Sequence, residues 1–582
     1  MNNSNPLESQ CLSRNRSWLM IGLILLGLAY AIMLFHRSLI DPDEGRYSEI
    51  PREMVFSGHW DEMRMLGYRY YEKPPLTYWM VAPAIALFGA SEWAVRMPLL
   101  LNILLLVGLL YLLIRPHWPG IGGGVALAVM LSMAGFFIGF CLVITDGFLT
   151  FWISLTCILL FWAFQPEVPT GRKQAFLLLA AIAAVLGFLT KGAVAVVLPG
   201  AILVVWLFWE KRWRALLTPA ILPAGLVFLA LLTPSLWWIE KHNPGFLAAF
   251  IFDEHLGRFL GTRISQLHAE PFWFYVAILP VLMLPWTLFI FRAVRNIVRH
   301  RLLTSDALTR FLVAWIVVVI VFFSAGAGKL ISYILPAIPP LGLLLGRWGL
   351  AEPLDGSRLD RRLWNLGLSA AWLMVVGVFL IVAVSVLRLA PKLVHPVSAG
   401  SALILFPLAL VACVVLCLGG FRHFSGVFLL AATLLLNVAL LLSPLAGRGF
   451  NVLLEMNSAN VYKTLADRLG PEDKIVIFGK YRPALAFYTR QLPYMCYGMN
   501  EIRPGLLMER DRPGYLWTQD AIRRLVADCP GRVYAVVATK DYFKKFLPLG
   551  LRFAPVDFPE DPKTVILELL PEPAEDNAAG PD

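Results

Sequence analysis

The sequence predicts a polytopic α-helical membrane protein with a small α/β domain near its C-terminal end, on three observations. Hydrophobic residues make up 58% of the 582 positions and charged residues only 15%, against about 25% charge in soluble globular chains. Apolar runs long enough to cross a bilayer recur from residue 18 to residue 445, each near the ~20 residues that the hydrocarbon core requires. Beyond about residue 451 the pattern changes to short buried strands alternating with helices, the signature of a layered α/β unit.

Thirteen spans are expected, near 18–36, 93–114, 121–141, 146–164, 174–190, 192–209, 215–237, 272–291, 310–327, 330–347, 364–387, 400–420 and 425–445. The first follows Arg14 and Arg16 but meets no small-residue cleavage site before Asp41, so it reads as an uncleaved span. Segment 77–89 is apolar but short and contains Pro83, so it reads as an interfacial helix; counting it as a span would invert every later loop.

Counting from a cytoplasmic N-terminus places Arg115, Arg172, Lys173, Lys211, Arg212, Arg214, the 292–310 and 347–362 clusters and Arg422 all on the cytoplasmic side, as the positive-inside rule requires. The net charge of +11 is therefore a topology signal and not a nucleic-acid footprint. The same count puts loops 37–92 and 238–271 outside, with a domain over 447–570, leaving 1–446 as the membrane part and 571–582 as a Pro/Ala/Gly-rich tail expected to lack order. In the domain, 474–478 and 533–537 read as buried strands, with helices at 458–469, 518–528 and 540–547. Cys496 and Cys529 are either a disulfide or two separate thiols. There is no nucleotide-binding glycine loop.

Chemistry is sought on the outer face. Asp41-Pro42-Asp43-Glu44 places three carboxylates in four positions just beyond a span, where charge is costly unless it is used or paired; one of them could instead cap the following helix. The same loop ends in Tyr70-Tyr71-Glu72-Lys73-Pro74-Pro75, an extended turn that holds Glu72 and Lys73 in place. Asp146 heads the fourth span, Lys191 joins the fifth and sixth, and Lys329 precedes the tenth. Lys73, Lys191, Arg258 and Lys329 could grip a phosphate, leaving the carboxylates for a sugar. Glu72 with His255 could hold zinc, although no H-x-x-H or H-E-x-x-H spacing occurs.

Asp41-Pro42-Asp43-Glu44-Gly45-Arg46-Tyr47, Glu72-Lys73-Pro74-Pro75, Thr190-Lys191-Gly192, Glu254-His255 and Phe323-Ser324 to Tyr333 together resemble the bacterial lipid A aminoarabinose transferases. These are membrane glycosyltransferases of the C type, a group that includes protein O-mannosyltransferases. The resemblance is ordered over about residues 18–345. It implies a C-type glycosyltransferase fold with about thirteen spans, interfacial helices and a periplasmic C-terminal domain. It also implies transfer of 4-amino-4-deoxy-L-arabinose from undecaprenyl phosphate to lipid A phosphates at the periplasmic face of the inner membrane, hence resistance to cationic antimicrobial peptides such as polymyxin.

Carried over residue by residue, Asp43 looks like the essential acid and Asp146 like a secondary one, with Glu44 beside them. Lys73, Arg258 and Tyr333 look like ligands of the carrier phosphate, joined by Lys191 and Lys329. Tyr47 and Tyr70 fall to substrate binding, and Glu72 and His255 to zinc. Partners are the carrier-linked sugar, lipid A and membrane lipids, and the chain is expected to act as a monomer without a nucleotide cofactor. Gly45 and the glycine-rich 325–328 stretch depart from the expected pattern without touching the charged positions. Two other readings stay open. One is transfer of another sugar, such as mannose, to protein or glycan; the other is a lipid flippase, which outer-face rather than mid-membrane charges disfavour.

Overall fold

The computed structural model describes residues 6–119, 121–257, 270–389, 458–496, 502–509, 514–556 and 563–572, with 428, 431–433, 435, 436 and 558 besides. The expected spans at 400–420 and 425–445 fall largely or wholly outside the described residues, as does the tail from 573. Two compact units are formed. The first comprises Met1–Arg37, Lys73–Met80 and Glu92–Asn451; the second comprises Ser38–Glu72, Val81–Ser91 and Val452–Asp582.

In the first unit, six helices among the described residues are long and apolar enough to cross a membrane: Glu92–Ile114, Thr145–Ala163, Thr170–Lys191, Ile221–His242, Ala307–Ala325 and Ile331–Ala351. The chain is a multi-pass membrane protein. Leu19–Phe35 and Val194–Trp209 are shorter apolar helices, and Arg358–Leu389 is a further long one. Thr145–Ala163 is the most enclosed of the early spans, with 78% of its apolar window buried, whereas Ile221–His242 buries 6%. The hydroxyls of Thr150, Ser154 and Thr156 on the enclosed helix each donate to the carbonyl four residues back, at 2.6–2.8 Å. Polar side chains at membrane depth are thereby satisfied by their own helix.

Two expected spans are not straight helices. Over 121–141 the chain forms Ile121–Ser132 and Ala134–Cys141, bent by 62°, because Met133 is extended and its neighbours find partners elsewhere. Ala134 N donates to Leu284 O at 2.9 Å, and Trp286 Nε1 donates to Ser132 Oγ at 3.0 Å. Over 272–291 only Phe274–Leu282 is the expected apolar helix; Phe289–Arg299, which follows, is amphipathic. The two irregular segments thus satisfy each other's backbone and hydroxyl groups, the condition for irregular chain inside a membrane protein. Gly342 and Gly346, one turn apart, face Met130 and Ala126 so closely that a Cβ would stand 2.8 and 2.5 Å from their Cα atoms, a small-residue seam between helices.

Phe289–Arg299 carries Arg292, whose side chain is fully buried against Asp360, itself 1% exposed. Arg292 Nε donates to Asp360 Oδ1 at 2.9 Å and Nη1 to Gly349 O at 2.8 Å.

The second unit joins a largely buried helix to a sheet. Asp43–Ser57 is followed by a hairpin of β1 (Arg64–Met65) and β2 (Tyr68–Arg69), turned at Leu66 and Gly67, both with positive φ. Segment 77–89, expected to be a short interfacial helix, forms the 13-residue helix Leu76–Phe88. The five-stranded sheet has the order β4-β3-β5-β7-β6, with β3 Lys474–Phe478, β4 Tyr494–Cys496, β5 Val533–Ala538, β6 Phe553–Pro555 and β7 Thr564–Leu569. Strands β4, β3 and β5 are parallel, and β7 and β6 continue antiparallel. Strands β3 and β5 are nearly continuous apolar runs because both of their faces are covered. Cys496 and Cys529 are free thiols, and burial pushes Cys496 up to about 12.

Candidate active site

In the second unit the three carboxylates of the acidic loop have three different fates. Asp41 Oδ1 accepts from Ala484 N at 2.9 Å, and burial pushes its carboxyl up to about 6. Glu44, fully buried, turns back so that Oε2 accepts from Ile40 N at 3.1 Å. Asp43 opens helix Asp43–Ser57, where the helix dipole favours an anion, and its side chain is 64% exposed. Of the three, only Asp43 presents its carboxylate outward.

Arg46 organises the surroundings of Asp43, a residue quoted in the motif but given no role from sequence. Its Nη2 donates to Asp43 Oδ1 at 3.1 Å and Nη1 to Tyr70 OH at 3.2 Å. Nη1 also stands 3.5 Å from Glu72 Oε2, which accepts from Tyr70 OH at 3.1 Å. The guanidinium lies 5.5 Å from the centre of the Tyr47 ring. Four expected site residues, Asp43, Tyr47, Tyr70 and Glu72, therefore meet on one arginine; the only local signal for it was the i, i+3 spacing from Asp43.

One turn further along the helix, Arg52 grips Glu49 with Nε and Nη2, both at 2.6 Å. Glu53 accepts from Leu66 N at 2.5 Å and Gly67 N at 3.0 Å, tying the hairpin to the helix. Burial and the neighbouring Glu49 push Glu53 up to about 8.

In the first unit, Asp146 in the first turn of Thr145–Ala163 is ion-paired with Lys191, the last residue of Thr170–Lys191. The same ammonium lies 4.3 Å from the centre of the Tyr333 ring, and Tyr333 is 8% exposed. Gly192, at φ 97°, ends the helix immediately after Lys191 and so sets where the ammonium emerges. Tyr275 OH donates to Leu330 O at 3.0 Å. Lys329 is occupied by backbone: Nζ donates to Gly326 O at 2.6 Å and Glu270 O at 2.8 Å, closing the end of helix Ala307–Ala325. Lys73 is buried. Arg258 lies outside the described residues. His255 belongs to the π-helical turn Ala249–Gly257, but its side chain also lies outside them.

The zinc expectation finds no support. Among the described residues no three His, Cys, Asp or Glu side chains converge to hold a metal ion, and Glu72 is already engaged by Arg46 and Tyr70.

Residues 72–238 match the family described as dolichyl-phosphate-mannose-protein mannosyltransferase. The chain is 34% identical over 368 residues to the undecaprenyl phosphate-alpha-4-amino-4-deoxy-L-arabinose arabinosyl transferase of Pseudomonas aeruginosa, a match covering 62% of this chain and 64% of that protein. A transferase of the same name from Proteus mirabilis is 34% identical over 337 residues, covering 56% and 59%. The chain thus spans somewhat under two thirds of the length of the curated relatives it matches. In structure it superposes on ArnT from Cupriavidus metallidurans bound to undecaprenyl phosphate with a TM-score of 0.75 at 23% identity, over 97% of this chain and 99% of that one. The apo state of the same protein gives 0.74. The chain therefore has the fold of that solved structure and is similar in sequence to proteins named undecaprenyl phosphate aminoarabinose transferases.

Proposed function

We propose that this protein transfers 4-amino-4-deoxy-L-arabinose from undecaprenyl phosphate to a phosphate of lipid A, with inversion, at the periplasmic face of the bacterial inner membrane. The N-terminus is cytoplasmic in this reading, and the domain over 447–570 is periplasmic. The observation that carries it is the division of the acidic loop, which leaves one carboxylate, Asp43, turned outward beside Arg46, Tyr47 and Tyr70. The sequence relationship to enzymes named for that donor supports it.

Displacement at the anomeric carbon expels the carrier phosphate while an acceptor oxygen attacks from the other side. A phosphate-monoester acceptor, with its second pKa near about 6, is already an anion, so Asp43 has no proton to remove. Its carboxylate pairs with the amino group of the sugar and orients it. Lys73, Arg258 and Tyr333 take up charge on the departing phosphate. Lys191, neutralised by Asp146, orders the Tyr333 ring, and Lys329 holds the turn before it.

A second reading, transfer of mannose or another sugar from a polyprenyl phosphate to protein, is favoured by the family match over 72–238. Mass analysis of lipid A from cells with and without the gene separates the two. A pentosamine increment that depends on the gene supports the first; unchanged lipid A alongside a glycosylated peptide acceptor replaces it with the second.

A further inference from the structure

The acidic loop is tied at three points to segments that follow it by more than four hundred residues, all within the second unit. Lys463 Nζ donates to Ser38 Oγ at 3.4 Å, Leu39 N donates to Tyr488 OH at 2.9 Å, and Ala484 N donates to Asp41 Oδ1 at 2.9 Å. Helix Pro483–Thr489, which carries two of these contacts, is anchored in turn by Arg482. Its Nη1 donates to Tyr462 OH at 2.8 Å and to Thr564 Oγ1, at the start of β7, at 2.6 Å. The approach is close enough to need Gly45: a Cβ there would collide with Asp41 Oδ1 and stand 2.6 Å from Ala484 N. That accounts for the glycine in the motif.

We propose that Asp41 and Gly45 are positioning residues through which the C-terminal α/β domain sets the orientation of Asp43. Asp41 touches no substrate in this role; it fixes the turn from which Asp43 projects two residues later. The role rests on the proposed transfer reaction for its kinetic consequence, but the docking itself stands apart from it. A reacting group misplaced by 1 Å can cost about 100-fold in rate, so the turnover number is the sensitive quantity.

The test uses the full-length protein in detergent or nanodiscs with Asp41→Ala, Asp41→Asn and Gly45→Ala, each checked for an unchanged unfolding midpoint. Expected for Asp41→Ala and Gly45→Ala is a fall in kcat of about tenfold or more, with KM for the carrier-linked sugar within twofold and faster hydrogen exchange over residues 38–47. Asp41→Asn keeps an oxygen for Ala484 N and should recover most of kcat. Unchanged kcat in Asp41→Ala overturns the proposal, as does a raised KM at constant kcat or an Asn variant as damaged as the Ala one. If Asp41→Ala fails to fold, Asp41→Asn and Gly45→Ala decide. If the wild-type protein transfers no aminoarabinose, the reaction assignment fails, and hydrogen exchange alone upholds or overturns the docking.

Discussion

Lys191 sits between an acid and an aromatic ring, and replacing it by Met keeps the length of the side chain while removing its charge. Asp146 and Lys191 are 8% and 13% exposed, so the pair is screened little by water. Removing one partner of such a buried pair costs about 3–5 kcal/mol, because the other charge is left uncompensated; the lost contact with Tyr333, at 4.3 Å, adds about 1–2 kcal/mol. Lys191→Met should therefore destabilise by about 4–7 kcal/mol. Asp146→Asn should cost somewhat less, since Lys191 keeps its place over the ring. In the double variant no charge is stranded, so it should be more stable than Lys191→Met alone, with a coupling energy above about 2 kcal/mol. Equilibrium unfolding in detergent measures the stabilities, and a carrier-linked donor assay measures transfer. Additive single effects, within about 0.5 kcal/mol, would show that the two side chains do not meet. If the double variant regained both stability and wild-type transfer, the pair would be purely structural and neither residue would belong to the active site.

Asp43→Asn should abolish transfer while leaving the unfolding midpoint unchanged, because the carboxylate is exposed and the buried Arg46 keeps Glu72 as its counter-charge; wild-type turnover would remove Asp43 from the mechanism. For Glu53, raised to about 8, the folded state holds its proton more tightly than the unfolded chain. Its contribution to stability is full below the ordinary carboxylate range and is lost as pH rises through about 8. Glu53→Gln should flatten the decline in melting temperature toward alkaline pH, and an unaltered slope would assign the titration to another group. Asp360→Ala leaves Arg292 buried without its counter-charge and should destabilise the protein by about 3–5 kcal/mol; a loss under about 1 kcal/mol in a denaturant titration would mean that backbone carbonyls alone satisfy the guanidinium.

Hydropathy picked out the six spanning-length helices among the described residues because a bilayer selects on composition alone, and the central strands β3 and β5 were legible for a similar reason, being unbroken apolar runs. It was blind to the break at Met133. Ser132-Met133-Ala134 is as apolar as its surroundings, and the groups that stabilise the bend, Leu284 O and Trp286 Nε1, lie about 150 residues away. The three-residue strands β4 and β6 were too short to show a period, and the alternation of β7 went unread beside the Pro-rich tail. In the site, the acidic loop stood out by its charge density. Its division could not be read, because the partner that removes Asp41 from chemistry is 443 residues distant. Arg46 was in plain view within the motif, but an arginine beside three carboxylates reads as ordinary charge balance until its tyrosine partners are known.

The mutual bracing of the two bent segments also constrains the order in which the protein is made. Phe274–Leu282 has nine residues, about 13 Å of helix, and on its own it is too short to enter a bilayer of about 30 Å as a span. Its irregular flank offers Leu284 O to Ala134 N and Trp286 Nε1 to Ser132 Oγ, and those two partners leave the ribosome long before it. The bend at Met133 therefore acquires these two contacts only after the chain has been extended by the 154 residues that separate Ser132 from Trp286.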